Sequence, residues 1–376
     1  MEPKVFILKT DNFTYDIDRL CDSLTKGFDL VLGKDYFQNK HKVLIKPNLL
    51  MNAVPEDAIT THPNFIIALA RVLKEKGLHI SVVDNPGGFG SNPSIREIYQ
   101  DLGLDKHSEL FDLLYNDRPP SIQDDMPFSW WTRGFDEIIN APKFKTHDLM
   151  GLTLAMKNTY GFIQGIRKSS LHKEFPKPTD FARVIVKIHT LIAPGVNVLD
   201  GIVTLEGEGP AKKGIPTRRG LILFSNAAWA LDWVAAKLIR IDPQKISYLR
   251  VALQEKLIEP SKIKVYPQDW QKYKIDDFNF PAPTIIESFP PSLLKTLGSL
   301  LAFKPVINNR RCQVCEKCIE TCPVSAIRLL QGERVVIDYK ECIMCMCCQE
   351  VCPYGAVEIQ YSLFYRLLKA LSKMGS

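Results

Sequence analysis

Nine of the ten cysteines in the chain lie between Cys312 and Cys352, and the tenth, Cys21, stands alone near the start. The nine include two runs of one design, Cys312-x-x-Cys315-x-x-Cys318-x-x-x-Cys322-Pro323 and Cys342-x-x-Cys345-x-x-Cys348-x-x-x-Cys352-Pro353. A secreted disulfide scaffold spreads its cysteines along the chain, so this crowding points to metal held in a reducing compartment. Paired C-x-x-C units also make zinc ribbons, yet eight cysteines in a duplicated three-plus-one spacing do not follow that pattern. A β-prone piece follows each run, Ala326 to Leu329 and Ala356 to Ile359, so the region reads as an internal duplication. Cys347 adds a ninth thiol inside the second run and is expected as a buried bystander; Cys21 is expected in the core of an early helix.

The duplicated runs resemble the bacterial two-cluster ferredoxin over roughly Arg311 to Gln360. In that family the first three cysteines of one run hold one cluster and the fourth holds the other. The resemblance therefore implies two [4Fe-4S] clusters. One is carried by Cys312, Cys315, Cys318 and Cys352, the other by Cys342, Cys345, Cys348 and Cys322. The spacing makes physical sense of this. Two-residue gaps let a tight loop wrap three thiolates around one face of a cubane, and the longer gap with its proline turns the fourth outward. Such clusters accept and pass single electrons.

A second set of reactive side chains is spread over the earlier part of the chain. Lys46-Pro47-Asn48, Thr60-Thr61-His62-Pro63 and Asp84-Asn85-Pro86-Gly87-Gly88 come first, the last extended by Phe89-Gly90-Ser91. Ala141-Pro142-Lys143-Phe144-Lys145-Thr146-His147 and Lys157-Asn158-Thr159-Tyr160-Gly161 follow. Asp200-Gly201-Ile202 then leads to Glu206-Gly207-Glu208-Gly209-Pro210.

The elements that must position them are short. Val5 to Lys9, Lys42 to Ile45, His79 to Val83, Asp136 to Ala141, Val196 to Leu199 and Gly220 to Phe224 read as strands. Pro63 to Lys76, Asp180 to Ile192 and Ala227 to Ile239 carry apolar residues at helical spacing. Strand, helix and strand in succession make a βαβ unit and favour a parallel sheet. In such sheets ligands gather beyond the carboxyl ends of the strands, so the polar loops should converge on one crevice. Within it Lys143, Lys145, His62, His147 and Asp200 are the candidate catalytic groups. Lys46, Asn48, Lys157, Asn158, Glu206 and Glu208 are the candidate substrate contacts. The lysines suit a carboxylate or phosphate.

The segments KPN, TTHP, DNPGG, PKFKTH followed by MKN, and DGIVTLEGEGP, in that order, resemble the DUF362 family of iron–sulfur-associated proteins over roughly Val43 to Leu238. The resemblance implies a large α/β domain joined to a ferredoxin module. Each constellation also has a purely structural reading. Lys46-Pro47-Asn48 could end a strand, His62 could cap a helix, Lys143 and Lys145 could face solvent, and Glu206 and Glu208 could sit on a surface hairpin. His189, inside an amphipathic helix, is expected to be structural.

Composition narrows the classes further. At 45% hydrophobic and 24% charged the chain is an ordinary globular sequence, and no run of about 18 apolar residues suggests a membrane span. The segment Met1 to Asn12 lacks the pattern of a secretory signal, so a cytoplasmic location is expected. The formal charge of +6 counts every cysteine as neutral; two clusters would bring the protein to about +2. There is no basic stripe with interleaved aromatics, so nucleic acid is not an expected partner. The Gly87–Gly90 loop has neither dinucleotide nor Walker spacing, and no G-x-S-x-G or HExxH motif appears.

The fold class expected is α/β: a large domain with a mainly parallel sheet, then a small α+β ferredoxin-like two-cluster domain. The boundaries are 1–280 for the first, 281–308 for a proline-punctuated connector, 309–360 for the second and 361–376 for an amphipathic tail able to touch a membrane surface. The function expected is that of a ferredoxin-fused reductase acting on a small anionic substrate or bound cofactor, supplied by a redox partner protein. Two-electron chemistry would draw on both clusters together, or on a flavin or second metal. The alternative is a non-catalytic electron-transfer or assembly protein whose large domain docks a partner enzyme.

Overall fold

Strands β1 (Lys4–Lys9), β2 (Lys42–Pro47), β3 (His79–Val82), β4 (Asp112–Leu113), β5 (Ser121–Gln123) and β6 (Met126–Phe128) lead the chain. They are followed by β7 (Glu137–Ala141), β8 (Lys143–His147), β9 (Gly151–Thr153), β10 (Val196–Gly207), β11 (Gly214–Ser225) and β12 (Lys264–Tyr266). This computed structural model describes residues 2–10, 14–86, 95–165, 167–281, 303–331 and 333–362. The Gly87 to Ser91 loop lies outside them, as do most of the connector expected over 281–308 and of the tail expected over 361–376.

Ten strands form one sheet in the order β12-β1-β11-β10-β7-β2-β3-β4, with β8 on β10 and β9 on β8. The βαβ unit expected from the sequence is present: β2, the helix Pro63–Glu75 and β3, with the two strands parallel. His62 caps that helix by accepting from Asn64 N, and Pro63 occupies its first turn. β7 runs parallel to both β2 and β10, while β11 is antiparallel to β1 and β10.

The strands read as unbroken apolar runs because both faces of the sheet are covered. In β2, Val43 and Ile45 enter one core while Leu44 enters the other. In β11, Ile222 and Phe224 part from Leu221 and Leu223 in the same way. The helices Ile17–Leu32 and Pro63–Glu75 close the first face; Pro178–Ile192, Ala228–Leu238 and Ser247–Gln254 close the second.

Two expectations need correction. Asp200 to Gly207 is not a loop after a strand but the continuation of β10, which pairs with β11 over most of its length. Its polar residues do not end it, because the ladder is made by the backbone. The segment Lys143 to His147 is likewise a strand, and all five residues are buried. The solvent-facing reading of Lys143 and Lys145 is therefore wrong.

The cysteine region holds β13 (Phe303–Ile307), β14 (Ile327–Leu330), β15 (Arg334–Ile337) and β16 (Val357–Tyr361), with β13 on β16 and β14 on β15, all antiparallel. Its duplication extends to the backbone. Val314, Glu316 and Ser325 adopt positive φ, and so do Met344, Met346 and Gly355 at the matching places of the second half. Two short helices, Lys317–Thr321 and Cys347–Val351, also correspond.

Candidate functional site

Beyond the carboxyl ends of β2 and β3 lies a partly open cavity. Lys46 Nζ pairs there with Asp84 Oδ1 at 2.7 Å and donates to Asn158 Oδ1 at 3.0 Å. Lys145 Nζ donates to Asn48 Oδ1 and to the Ile59 carbonyl, both at 2.8 Å. Asn48 Nδ2 completes the row by donating to Asn158 Oδ1 at 2.9 Å. Gly161 backs the ion pair: a Cβ there would stand 2.5 Å from Lys46 Nζ and 2.7 Å from Asp84 Oδ1.

The helix Arg167–Glu174 adds Lys168 and His172, four residues apart and so on one face. Lys168 Nζ donates to the Asn85 carbonyl at 2.8 Å. Burial pulls its pKa down to about 7, with Lys46 and Lys157 adding to the fall and Asp84 opposing it. His172 stacks on Phe181 with ring centroids 4.1 Å apart, and burial lowers its pKa to about 4.

The remaining wall comes from the cysteine region, through Thr321, Cys347, Glu350 and Val351. Burial lowers the Lys157 ammonium, while Glu350 and Cys347 work against that fall. Burial would raise the Glu350 carboxyl, but His147, Lys157 and His172 hold it at about 2. Thr153 and Thr321 line this cavity, and their hydroxyls are buried with no hydrogen-bond partner among the described residues. Four lysines thus face two carboxylates, and donor groups are left over.

Of the sequence candidates, the cavity gathers Lys46, Asn48, Lys145, Lys157 and Asn158. His147 stands one side chain behind it. Its Nδ1 accepts from Leu149 N and Met150 N, each at 3.2 Å, which leaves the proton on Nε2, 3.0 Å from Glu350 Oε1. His62, Lys143, Asp200, Glu206 and Glu208 do not line it. Lys143 Nζ meets Asp200 Oδ2 and Tyr15 Oη at 2.9 Å each, Tyr15 Oη donates to Asp200 Oδ1 at 2.8 Å, and His62 stacks on Tyr15. Glu206 accepts from Arg219 Nε and Nη2 at 2.7 and 3.0 Å. The sequence reading missed Lys168, His172, Glu350 and the two threonines. Only the four-residue spacing of Lys168 and His172 offered a local signal.

The cysteines surround two smaller volumes. One is lined by Cys312, Cys315, Cys318 and Cys352. The other is lined by Cys322, Cys342, Cys345 and Cys348, together with Cys347. Ala326 N and Ala356 N donate to the sulfurs of Cys322 and Cys352, each at 3.2 Å. Burial pushes the Cys318 thiol up to about 12, with Cys352, Cys315 and Cys312 adding to it. Sulfurs so placed welcome a cationic core. Among the described residues no three His, Cys, Asp or Glu side chains draw together as around a single ion.

Residues 43–237 match the family described as a domain of unknown function (DUF362), and residues 311–356 match the 4Fe-4S dicluster domain. A thylakoid-associated protein of Synechocystis sp. is 31% identical over 265 residues, which are 69% of this chain and 81% of that protein. Among solved structures, the lactate racemase apoprotein from Thermoanaerobacterium thermosaccharolyticum is 12% identical, with a TM-score of 0.40, over 58% of this chain and 55% of that one. A Thermotoga maritima protein is 14% identical, with a TM-score of 0.37, over 67% of this chain and 61% of that one. The chain thus spans less than two thirds of each of these solved chains. Among the described residues no helix is long and apolar enough to cross a membrane.

Proposed function

The chain belongs to the DUF362 family and carries a 4Fe-4S ferredoxin-type domain, and we propose that it is a reductase that passes electrons from that domain to a small anionic molecule in the lysine cavity. One observation carries the reading: a single cavity has lysines of the α/β domain on one side and Cys347 and Glu350 of the cysteine region on the other. Two clusters are proposed, one on Cys312, Cys315, Cys318 and Cys352, the other on Cys342, Cys345, Cys348 and Cys322. The two cysteine-lined volumes support this grouping. When bound, the clusters supply single electrons.

The chain's own residues do the rest. Lys157 and Lys168 hold the anion, and the Thr153 and Thr321 hydroxyls orient it. The walls supplied by both regions exclude water, which strengthens each of these contacts. Lys168, with a pKa of about 7, holds the proton that a reduced substrate needs at neutral pH. His62 and His147 drop out of that role, since neither reaches the cavity. A two-electron reduction draws on both clusters, or on a flavin or second metal placed between them. We also propose that a redox partner protein charges the clusters, that the chain works in the cytoplasm, and that its tail touches a membrane surface.

The test is anaerobic purification with iron and sulfide analysis, then EPR of the reduced protein and a screen of small anions for reoxidation of the signal. Lys157→Ala should slow reoxidation by the active anion at least about tenfold, the loss of one charged contact, at unchanged iron content. Iron nearer four than eight atoms per chain, or zinc instead, defeats the two-cluster proposal. Unchanged reoxidation in Lys157→Ala with loss of a partner's binding would favour the docking role.

A further inference from the structure

Asp232 is a buried carboxylate that the proposed chemistry leaves unused. It lies fully buried on the helix Ala228–Leu238, whose Leu231, Trp233 and Val234 pack into the core around it. An acid taken out of water is costly unless donors meet it. What meets this one is backbone: Oδ1 accepts from Ala155 N at 2.8 Å and Oδ2 from Met156 N at 2.9 Å.

Those two amides open the helix Ala155–Asn158, a single turn that has no side-chain cap of its own at Leu154. One turn does not hold itself in water, and its first N–H groups need acceptors from elsewhere. Asp232 supplies them from a different helix. Asn140 ties the same turn to the sheet, donating to the Ala155 carbonyl at 2.9 Å and accepting from Asn158 Nδ2 at 2.7 Å. The turn continues into Thr159–Phe162. Together the two pieces give the lysine cavity Lys157, Asn158, Tyr160 and Gly161. Asp232 does not line that cavity, so its hold on the contents is indirect.

We propose that Asp232 is a positioning residue of the anion site: by gripping the Ala155 and Met156 amides it sets where Lys157 and Asn158 stand, and so how tightly the cavity holds its anion. This rests on the reading of the lysine cavity given above. Charge alone predicts the opposite sign. A carboxylate repels an anion, so removing it would tighten binding, whereas losing its grip on the turn loosens it.

Sulfate is a suitable probe because it keeps two charges through the neutral range. Its affinity for the full-length protein, prepared anaerobically, is read by calorimetry. Asp232→Asn keeps the shape of the side chain but turns one acceptor into a donor that faces an amide N–H. We expect it to bind sulfate about tenfold more weakly at unchanged iron content. Hydrogen exchange over 155–162 should quicken, while the helix Arg167–Glu174, which carries Lys168, exchanges as before. Two lysine backgrounds separate positioning from general loosening. With Lys157→Met in place, Asp232→Asn should cost about threefold or less, because the group it positions is gone. With Lys168→Met it should keep its whole effect.

Should Asp232→Asn fail to fold, Asp232→Ser carries the comparison, since its hydroxyl still accepts from one amide. Sulfate affinity unchanged or tightened in the variant overturns the positioning role and leaves the anion site standing, as does an equal loss in both lysine backgrounds. No sulfate binding by the parent protein defeats the reading of the cavity itself, and the role of Asp232 with it.

Discussion

Lys143 and Lys145 stand two residues apart on one strand, and both are fully buried, yet their surroundings differ in kind. Lys143 sits in a charge-paired knot: Asp200 accepts from its ammonium, from the Tyr15 hydroxyl and from the His62 backbone N–H. Lys145 belongs to an open row in which asparagines and a carbonyl hold the ammonium, no carboxylate pairs with it among the described residues, and hydroxyls nearby are left over. A buried cation marks a binding site when donors around it remain unspent. One whose partners are all present marks architecture.

The largest test of that contrast is Asp200→Ala. It leaves Lys143 buried without its counter-charge, and should destabilise the fold by about 3–5 kcal/mol, read from denaturant unfolding of the anaerobic protein. Sulfate binding by the remaining folded protein should change little. If binding disappears while stability holds, the knot is part of the site and the contrast fails.

Gly161→Ala comes next. Its Cβ would force the Lys46–Asp84 pair to shift, a cost of about 1–3 kcal/mol for overpacking, and here the binding of sulfate should weaken together with the melting temperature. A variant as stable as the parent with unaltered binding would mean that the pair gives way freely.

The smallest effect sharpens the open side alone. Lys168 has a pKa of about 7 in the fold, so it is charged below neutrality and loses its proton as the pH rises. Sulfate affinity should therefore fall about three- to tenfold between pH 6 and pH 8, the value of one partly screened charge contact. His172, at about 4, stays neutral over that range and does not contribute. Lys168→Met should flatten the profile; a slope that survives it assigns the titration elsewhere.

Much of this was legible in the chain and some was not, for reasons that lie in how partners are brought together. The cysteine runs act through local spacing, so their grouping could be expected from a family pattern. Lys46 and Asn48 were expected at the cavity because strand ends of a parallel sheet share one edge, whereas Lys157 and Asn158 are brought to it by the short helix Ala155–Asn158. What separates Lys143 from Lys145 is register: β10 sets Asp200 opposite the first and Leu205 opposite the second, with an irregularity between them. No inspection of one segment reveals that offset. The carboxylates were misjudged for the same reason, since Glu206 meets Arg219 only across the β10–β11 hairpin. Glu350 lies far along the chain from every lysine it faces, and nothing local announces it.

The short helix Cys347–Val351 has a consequence in time. Five residues cannot sustain a helix in water, and this one lies between cysteines whose metallation is coupled to folding. A newly synthesised chain therefore lacks a finished roof over its lysines until iron and sulfide have been delivered. On the function proposed above, the order of assembly would then be fixed: the clusters first, the anion after them.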